Sequence, residues 1–236
     1  MKITVIAEAG SSPAPAWDFM AWAEAAKWAG ADAVKYQCFR ADHFPEAERE
    51  SKYPLEFPRH RMDAMRLAAH YYGLKAGVSV FDETAAIQAA RDCDFVKLAA
   101  REQTNWGLFK AAYEATGEYG KPLYRSVSDL NEVNTLPGIV HLCAIQQYPA
   151  PLALSCLQVL KTARVFRSYN FQLQGTRWGW SSHTTGTFDV LLACRLGASV
   201  VEKHISITPS DCEAPHSLLP AQFAAMCRAI RKNERN

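Results

Sequence analysis

The fold is decided by residues 3–39, which read ITVIAEAGSSPAPAWDFMAWAEAAKWAGADAVKYQCF. The β-branched run Ile3–Ala7 predicts a first strand, and the run Ala33–Phe39 predicts a second. Between them, Trp17–Ala29 carries apolar residues at helical spacing and is followed by Gly30, a residue type that commonly ends helices. Because a helix separates the two strands, we expect them to lie in a parallel sheet.

The same alternation of strand and helix continues along the chain. Six further apolar runs predict strands: Gly77–Phe81, Phe95–Ala99, Pro122–Val127, Ile139–Ile145, Arg177–Ser182 and Ser199–His204. Six amphipathic segments predict helices: Pro58–Tyr72, Glu83–Arg91, Trp106–Ala115, Ala153–Thr162, Thr187–Leu196 and Pro220–Arg231. The segment after Phe39 is interpreted as a polar loop, and only a short helix is expected before Pro137. The pattern predicts an α/β protein, a single (β/α)8 TIM barrel over residues 1–236.

The length of 236 residues agrees with this fold, because eight units of about 30 residues are each the size of one strand and one helix. An open, doubly wound parallel sheet is the alternative architecture. No glycine-rich fingerprint follows the first strand, however, and this absence favours the barrel.

Composition indicates a globular, soluble protein. Apolar residues make up 49% of the chain and charged residues 21%, and the formal net charge is +2. These values exclude intrinsic disorder and give no basic footprint for nucleic acid or an acidic membrane. No apolar stretch is long enough to span a membrane, and the first ten residues do not resemble a signal peptide. The seven cysteines form no C-x-x-C pair, so we expect reduced thiols in a cytoplasmic protein.

Polar residues occur at the carboxyl ends of all eight predicted strands, where the active sites of barrel enzymes lie. They are Glu8, Lys35 with Gln37, Ser79 with Asp82, Lys97, Ser126, Gln146 with Tyr148, Ser181 with His183, and Glu202 with His204. A closed barrel would bring these side chains to one mouth. The sequence therefore predicts a single polar site there.

Lys35, Lys97 and Lys203 lie within apolar strand runs. A buried lysine needs a carboxylate or a bound anion, so several converging lysines favour a ligand that carries phosphate or carboxylate. The alternative for each is a lysine that extends from a strand end into solvent. Three strand-end serines can donate hydrogen bonds to the same ligand: Ser79, Ser126 and Ser181.

His183 and His204 end the seventh and eighth predicted strands. Neighbouring strands lie about 4.8 Å apart, so both imidazoles can reach one divalent ion, although two histidines alone are a weak signal. The other histidines are interpreted as lacking such a partner: His43, His60, His70, His141 and His216.

Seven motifs occur in order along the chain: AEAG (7–10), GADAVKYQCF (30–39), KLA with a downstream TN (97–105), YPAP (148–151), GWSSHTTG (179–186), LGASVVEKHIS (196–206) and HSLLP (216–220). Together they resemble the sialic acid synthase family, whose members condense phosphoenolpyruvate with an N-acylated hexosamine. The resemblance covers essentially the whole chain. It implies a (β/α)8 barrel that binds phosphoenolpyruvate and a divalent metal, usually Mn²⁺, with Mg²⁺ or Co²⁺ as alternatives.

The resemblance also implies roles for individual residues. Lys35 and Lys97 match lysines that bind phosphoenolpyruvate, and Gln37 matches a glutamine that faces the sugar. His183 and His204 match the metal ligands. The other predicted site residues that match positions of the family motifs are Glu8, Ser126, Gln146, Tyr148, Ser181, Glu202 and Lys203. Ser79 is also predicted, because it lies at a strand end.

The implied reaction joins phosphoenolpyruvate to an aldehyde sugar, N-acetylmannosamine-like or another hexosamine, and gives a nonulosonic-acid-type 2-keto acid and phosphate. The metal is expected to polarise the aldehyde, and Lys35 and Lys97 to hold phosphate and carboxylate charge. Glu8 or Glu202 is expected to transfer a proton or orient water. The residues expected to bind substrate are Gln37, Ser79, Ser126, Gln146, Tyr148, Ser181 and Lys203. Two alternatives stay open: a barrel lyase or isomerase with the same metal, and a non-catalytic binding protein.

The chain also departs from the family pattern. Ala100 and Ser182 stand in place of a serine and an aspartate, and Gln146 stands in place of an asparagine. The run SSPAP (11–15) replaces an N-x-H run, and Glu213–His216 replaces a G-P-D-H run. The phosphoenolpyruvate and metal half is therefore better preserved than the sugar half.

Family members carry a C-terminal domain resembling antifreeze protein, which supplies an arginine to the partner subunit's sugar site. We expect this chain to lack that domain. The acceptor is therefore expected to differ from N-acetylmannosamine, or a separate protein to complete the site, and any homodimer to use barrel surfaces. Arg101 and Arg125 are additions that either bind a more anionic acceptor or form ordinary salt bridges.

Overall fold

The computed structural model shows eight parallel strands that close into a barrel inside a layer of helices. It describes residues 2–13, 16–133, 136–168, 177–211 and 213–234. The strands are β1 Thr4–Gly10, β2 Ala33–Cys38, β3 Lys75–Val80, β4 Phe95–Leu98, β5 Leu123–Val127, β6 Ile139–Ala144, β7 Arg177–Ser182 and β8 Val200–His204. The helices are α1 Phe19–Trp28, α2 Glu46–Lys52, α3 Met62–Tyr71, α4 Glu83–Asp92, α5 Trp106–Glu118, α6 Leu152–Ser168, α7 Phe188–Arg195 and α8 Pro220–Asn233.

Neighbouring strands follow chain order, and β8 pairs with β1 to close the barrel. The predicted (β/α)8 TIM barrel is therefore confirmed. The weakly patterned seventh strand coincides with its predicted range, Arg177–Ser182. The preceding stretch, predicted as unpatterned over 163–175, is partly helical, because α6 continues to Ser168; residues 169–176 lie outside the described part of the chain.

The segment after β2 was predicted to be a polar loop, and this prediction is wrong for Glu46–Lys52, which forms α2. Glu46 and Glu48 lie in its first turn and Lys52 in its last, a distribution that suits the helix dipole. No residue of α2 is buried. The helix therefore lacks the apolar periodicity by which the other helices are predicted.

The barrel interior contains an apolar layer below a polar one. The apolar layer is formed by Ile6, Ala33, Phe95, Tyr124, Leu142 and Val200. Because side chains alternate along a strand, residues two positions further on point inward as well. On β1, β2, β4 and β8 these are Glu8, Lys35, Lys97 and Glu202, all buried. The apolar layer thus closes the barrel and supports a charged floor.

Between strands and helices lies a second, larger core. The outward residues of the strands fill it, such as Val34, Val78 and Val201, and none of these three side chains is exposed. Small residues let the helices approach the sheet closely: α4 contributes Ala85, Ala86, Ala89 and Ala90. Burial of each valine-sized side chain contributes about 1.5–3 kcal/mol, so this core is the main source of stability.

The predicted reduced cysteines agree with the structure where it describes them. Five cysteines are buried and free, and Cys156 is half-buried and free. Cys212 lies outside the described residues. In the described part of the chain, no helix combines the length and the apolar character that crossing a membrane requires.

Gly179 on β7 makes room for its neighbours inside the barrel. A Cβ atom at this position would lie 2.4 Å from the carbonyl oxygen of Val200 and 2.5 Å from the Leu142 side chain. The backbone of β8 cannot move away without breaking strand pairing. The interior of the barrel therefore has no room for a side chain at this point.

We predict that Gly179→Ala lowers the free energy of unfolding by about 1–3 kcal/mol, because the added methyl group overpacks the barrel. Gly117→Ala is the matched control, since Gly117 lies in α5 and a Cβ there meets no atom within 4 Å. This control should stabilise the protein by roughly 0.5–1 kcal/mol through helix propensity. Urea denaturation followed by circular dichroism measures both changes. Equal stability of the two variants would contradict the packing account.

Candidate active site at the carboxyl ends of the strands

A cavity of about 530 Å³ opens at the carboxyl ends of the strands. Twelve of the thirteen sequence-predicted site residues line it: Glu8, Lys35, Gln37, Ser79, Lys97, Ser126, Gln146, Tyr148, Ser181, His183, Glu202 and His204. Lys203 does not. The structure thus brings the predicted residues together, while their chemical roles stay predictions.

The floor of the cavity is a network of alternating buried charges. The Lys35 ammonium forms a salt bridge with Glu8 and lies 3.8 Å from a carboxylate oxygen of Glu202. The other Glu202 oxygen lies 2.5 Å from the Lys97 ammonium. Lys35 also donates a hydrogen bond to Ser79 Oγ over 2.5 Å. Every charge of the floor therefore has an opposite charge beside it.

Burial and ion pairing shift the pKa values of Glu8 and Glu202 in opposite directions. Burial raises the pKa of Glu8 and outweighs the opposing effect of Lys35. Burial also disfavours ionisation of Glu202, but Lys35 and Lys97 outweigh it and lower its pKa to about 2. For Lys97, burial dominates and lowers the pKa. Glu8 is therefore the floor carboxyl that gains a proton most readily.

Some polar atoms of the floor have no hydrogen-bond partner among the described residues. They include Glu8 Oε1, Glu202 Oε2 and Ser126 Oγ. A buried polar atom without a partner costs about 1–3 kcal/mol. All three residues line the cavity, so a polar ligand can satisfy these atoms.

A cluster of histidines lies beside the floor. Ligand atoms of His204, Glu213 and His216 all lie within 4.8 Å of one another. The ring of His183 lies 5.6 Å from that of His204, and His183 Nδ1 lies 2.6 Å from the Ile145 carbonyl oxygen. Burial together with His204 lowers the pKa of His183 to about 3 and that of His216 to about 4. Neutral imidazoles beside a carboxylate are a donor set that suits a divalent metal.

The prediction that His216 lacks a partner is wrong. Its ring lies 4.6 Å from that of His204, because the short 3-10 helix Ala214–His216 turns back over the end of β8. A parallel β-bridge between Ile205 and Leu218 holds this segment against the end of β8. Glu213 was missed as a metal-ligand candidate. The Glu213–His216 run contains a carboxylate and an imidazole, two common metal ligands, and this was the signal in the sequence for a metal site. The run was interpreted only as a departure from the family pattern.

Two departures from the family pattern contact each other. Ser11 belongs to the SSPAP run, and its backbone amide and its hydroxyl both donate hydrogen bonds to Glu213 Oε1, over 2.9 and 3.0 Å. The second carboxylate oxygen of Glu213 lies 2.6 Å from His204 Nδ1. Gly10 has φ of +60°, and a Cβ there would collide with the Glu213 carboxylate. The loop after β1 is thus shaped around Glu213.

The substrate-binding role predicted for Lys203 is not supported by its position, and we correct it. Glu202 and His204 point into the barrel, so the alternating Lys203 points outward. Its ammonium donates a hydrogen bond to the Thr184 carbonyl oxygen and lies 3.2 Å from Ser182 Oγ. Burial lowers its pKa to about 8. Lys203 therefore braces the segment that carries His183.

Of the two alternatives for Arg125, the structure supports the salt bridge, which Arg125 forms with Glu132 over 3.1 Å, since Arg125 does not line the cavity. The side chain is buried outside the barrel and donates hydrogen bonds to the carbonyl oxygens of Glu132 and Gln103 over 2.5 and 2.6 Å. It lies over the rings of Trp106 and Phe109. Arg125 is a structural residue of the β5–α5 contact.

The outer part of the cavity was not predicted. Its lining comes from β2, the segment around α2, and the ends of β3 and β4: Phe39, Phe44, Glu48, Lys52, Leu55, Phe81 and Arg101. Aromatic rings and long charged side chains thus surround the entrance. The only predicted residue among them is Arg101.

Comparisons with known proteins find relatives at about one quarter sequence identity. It is 26% identical over 229 residues to an uncharacterized protein of Methanocaldococcus jannaschii, covering 89% of this chain and 64% of that protein. It is 25% identical over 196 residues to N-acetylneuraminate-9-phosphate synthase of Mus musculus, covering 79% of this chain and 53% of that protein. The chain therefore spans roughly half to two thirds of the length of these two relatives.

The fold is shared with a solved structure, the N-acetylneuraminic acid (sialic acid) synthetase of Leptospira borgpetersenii. The two superpose with a TM-score of 0.84 at 20% identity, covering 100% of this chain and 85% of that one. A family model described as the NeuB family matches residues 22–236. These findings confirm the resemblance stated from the sequence motifs. Since the match begins in α1 and includes every later strand and helix, the chain belongs to the NeuB family.

Proposed function

We propose that this protein is a phosphoenolpyruvate-dependent synthase that joins phosphoenolpyruvate to the aldehyde carbon of a sugar. The observation that carries the proposal is one cavity in which two buried lysine–glutamate pairs lie beside a histidine cluster. Membership of the NeuB family supports the same class of reaction. The product would be a 2-keto sugar acid of the nonulosonic type, released with phosphate.

Phosphoenolpyruvate carries a phosphate and a carboxylate, and the cavity floor supplies two ammonium groups. We assign these anions to Lys35 and Lys97, with Ser126 Oγ as an additional donor. The lysines are already held in place by Glu8 and Glu202, so their ordering costs little on binding. Charge-assisted hydrogen bonds in a buried site are strong enough to fix the orientation of the ligand.

In the reaction, carbon 3 of phosphoenolpyruvate forms a bond with the aldehyde carbon, and the aldehyde oxygen takes up a proton. Water then adds at carbon 2, and phosphate leaves from the same carbon. One water is consumed for each phosphate released. Glu8 accepts one proton of the attacking water, since its carboxylate faces the cavity and its pKa is raised by burial. This proton balances the one that the aldehyde oxygen takes up, and the second proton of the water leaves with phosphate when the keto group forms at carbon 2.

His204, Glu213 and His216, with His183 opposite, would hold a divalent metal ion. Such an ion polarises an aldehyde oxygen as a Lewis acid when bound. We propose Mn²⁺, with Mg²⁺ or Co²⁺ as alternatives. Ser11 and Lys203 support this group, because the former fixes Glu213 and the latter braces the segment of His183.

The direct test measures phosphate release from phosphoenolpyruvate with Mn²⁺ and a panel of aldoses. We expect phosphate and 2-keto acid in equal amounts, and no release when the aldose or the metal is omitted. Mass spectrometry of the product identifies the new carbon–carbon bond. If phosphoenolpyruvate binds but no aldose supports release, the protein is a binding protein and the proposed synthase function is wrong.

Lys35→Met should weaken phosphoenolpyruvate binding by roughly 10- to 100-fold, because a charge-assisted contact is lost. The variant leaves Glu8 unpaired in the barrel floor, which can cost about 3–5 kcal/mol of stability. The double variant Glu8→Gln with Lys35→Met removes both charges and separates binding from folding. Isothermal titration calorimetry measures affinity, and Lys110→Met on the exposed face of α5 is the control. Wild-type affinity in the folded double variant would refute the assignment.

His216→Ala should weaken Mn²⁺ binding by about 10- to 100-fold, since one ligand of the cluster is removed. Combining His183→Ala with His204→Ala should abolish binding. Electron paramagnetic resonance of free Mn²⁺ measures the affinity directly. His70→Ala is the matched control, because His70 contacts Asp94 and does not line the cavity. Binding that survives the double substitution would exclude this cluster as the metal site.

A further inference from the structure

The entrance of the cavity carries two cations that the proposed chemistry leaves unused. Lys52, at the end of α2, places its ammonium 4.9 Å from the centre of the Phe44 ring. Arg101, which follows β4, places its guanidinium 4.5 Å from the centre of the same ring and 5.2 Å from that of Phe81. Both cations line the cavity. They therefore share one aromatic wall at its mouth.

Each of the two cations keeps an N–H group that can donate to a ligand, although Arg101 forms a salt bridge with Glu102. Lys52 forms no salt bridge within the part of the chain that the structure describes, although Glu48 lies one helical turn before it. Arg101 Nε donates to Glu102 over 3.0 Å, and its Nη2 donates to the His43 carbonyl oxygen over 2.6 Å. Its Nη1 makes no hydrogen bond to any described residue and remains for a ligand. Lys52 therefore differs from the lysines of the cavity floor, each of which touches a carboxylate.

The entrance is also held in a fixed position. His43 Nε2 lies 3.2 Å from Asp82, which in turn accepts a hydrogen bond from Arg59. Asp82 caps the amino end of α4, so these contacts tie the segment around α2 to the end of β3. Because the two hydrogen bonds of Arg101 fix its guanidinium, binding an anion there requires little further ordering.

We infer that Arg101 and Lys52 form an anion subsite that binds a phosphate or carboxylate group of the acceptor, at the end remote from its aldehyde. The inference rests on the proposed function for the identity of the ligand as an aldehyde sugar. Lys35 and Lys97 at the floor serve phosphoenolpyruvate, so the entrance cations meet the second substrate. The rings of Phe44 and Phe81 would pack against the apolar face of the sugar.

Three hexoses that differ only at carbon 6 test the inference: mannose, mannose 6-phosphate and mannuronate. Titration calorimetry measures their affinities without phosphoenolpyruvate, so the result does not depend on turnover. We expect wild-type protein to bind at least one anionic hexose about 10- to 100-fold more tightly than mannose. Comparison of mannose 6-phosphate with mannuronate shows whether the subsite takes phosphate or carboxylate.

Lys52→Gln, Arg101→Gln and their combination should reduce this preference, and the double variant should nearly abolish it. Lys52→Gln removes a charge without removing any hydrogen bond in the described structure, so it tests electrostatics without loosening the entrance. Arg91→Gln and Lys110→Gln are matched controls on exposed helix surfaces and should retain the wild-type preference.

Equal affinity of wild-type protein for all three hexoses would overturn the inference. So would an unchanged preference in the folded double variant. Phosphate release is measured with the same three sugars. If release fails with these sugars and with the whole aldose panel while the anionic preference depends on Arg101 and Lys52, the subsite stands and the synthase function is refuted. If release proceeds without any anionic preference, the function stands and the subsite is refuted.

Discussion

The buried charges of the barrel floor are the constraint on which the rest of the structure depends. Burying an unpaired ion costs several kcal/mol, yet Lys35, Lys97, Glu8 and Glu202 are all almost fully buried. They neutralise one another only because β1, β2, β4 and β8 bring them to one level of a closed barrel. A one-residue slip of any of these strands would turn its charge into the apolar core between sheet and helices. Barrel closure and charge pairing therefore require each other.

The histidine side of the cavity shows how departures from a family pattern can compensate one another. Glu213 needs hydrogen-bond donors to remain ionised while buried, and Ser11 supplies two. Together with His204, these contacts lower the pKa of Glu213 to about 2 despite its burial. A larger residue than glycine at position 10 would occupy the space of that carboxylate. The loops after β1 and β8 thus form one unit, and a substitution in one loop is understood only with the other.

Local pattern was sufficient to predict the barrel, because each strand is short, apolar and followed by a helix. It was also sufficient for most of the site, since strand ends converge in any barrel. One error was avoidable: alternation along a strand turns Lys203 outward when Glu202 and His204 point inward. The same alternation turns Arg125 outward when Ser126 points inward, which decides between the two alternatives stated for Arg125. The position of His216 depends on how a loop returns over β8, and α2 has no buried face. Neither feature leaves a periodic signal in the sequence.

The floor and the entrance of the cavity differ in how strongly they attract an anionic ligand from a distance. Two ammonium groups and two carboxylates at the floor cancel at a distance, so the floor exerts little long-range attraction on an anionic ligand. Lys52 and Arg101 lie at the mouth, where approaching molecules first meet the protein. Their side chains belong to α2 and to the residues after β4, outside the strand layers that hold the floor charges. The residues at the entrance can therefore change which molecule enters without disturbing the charge pairs at the floor.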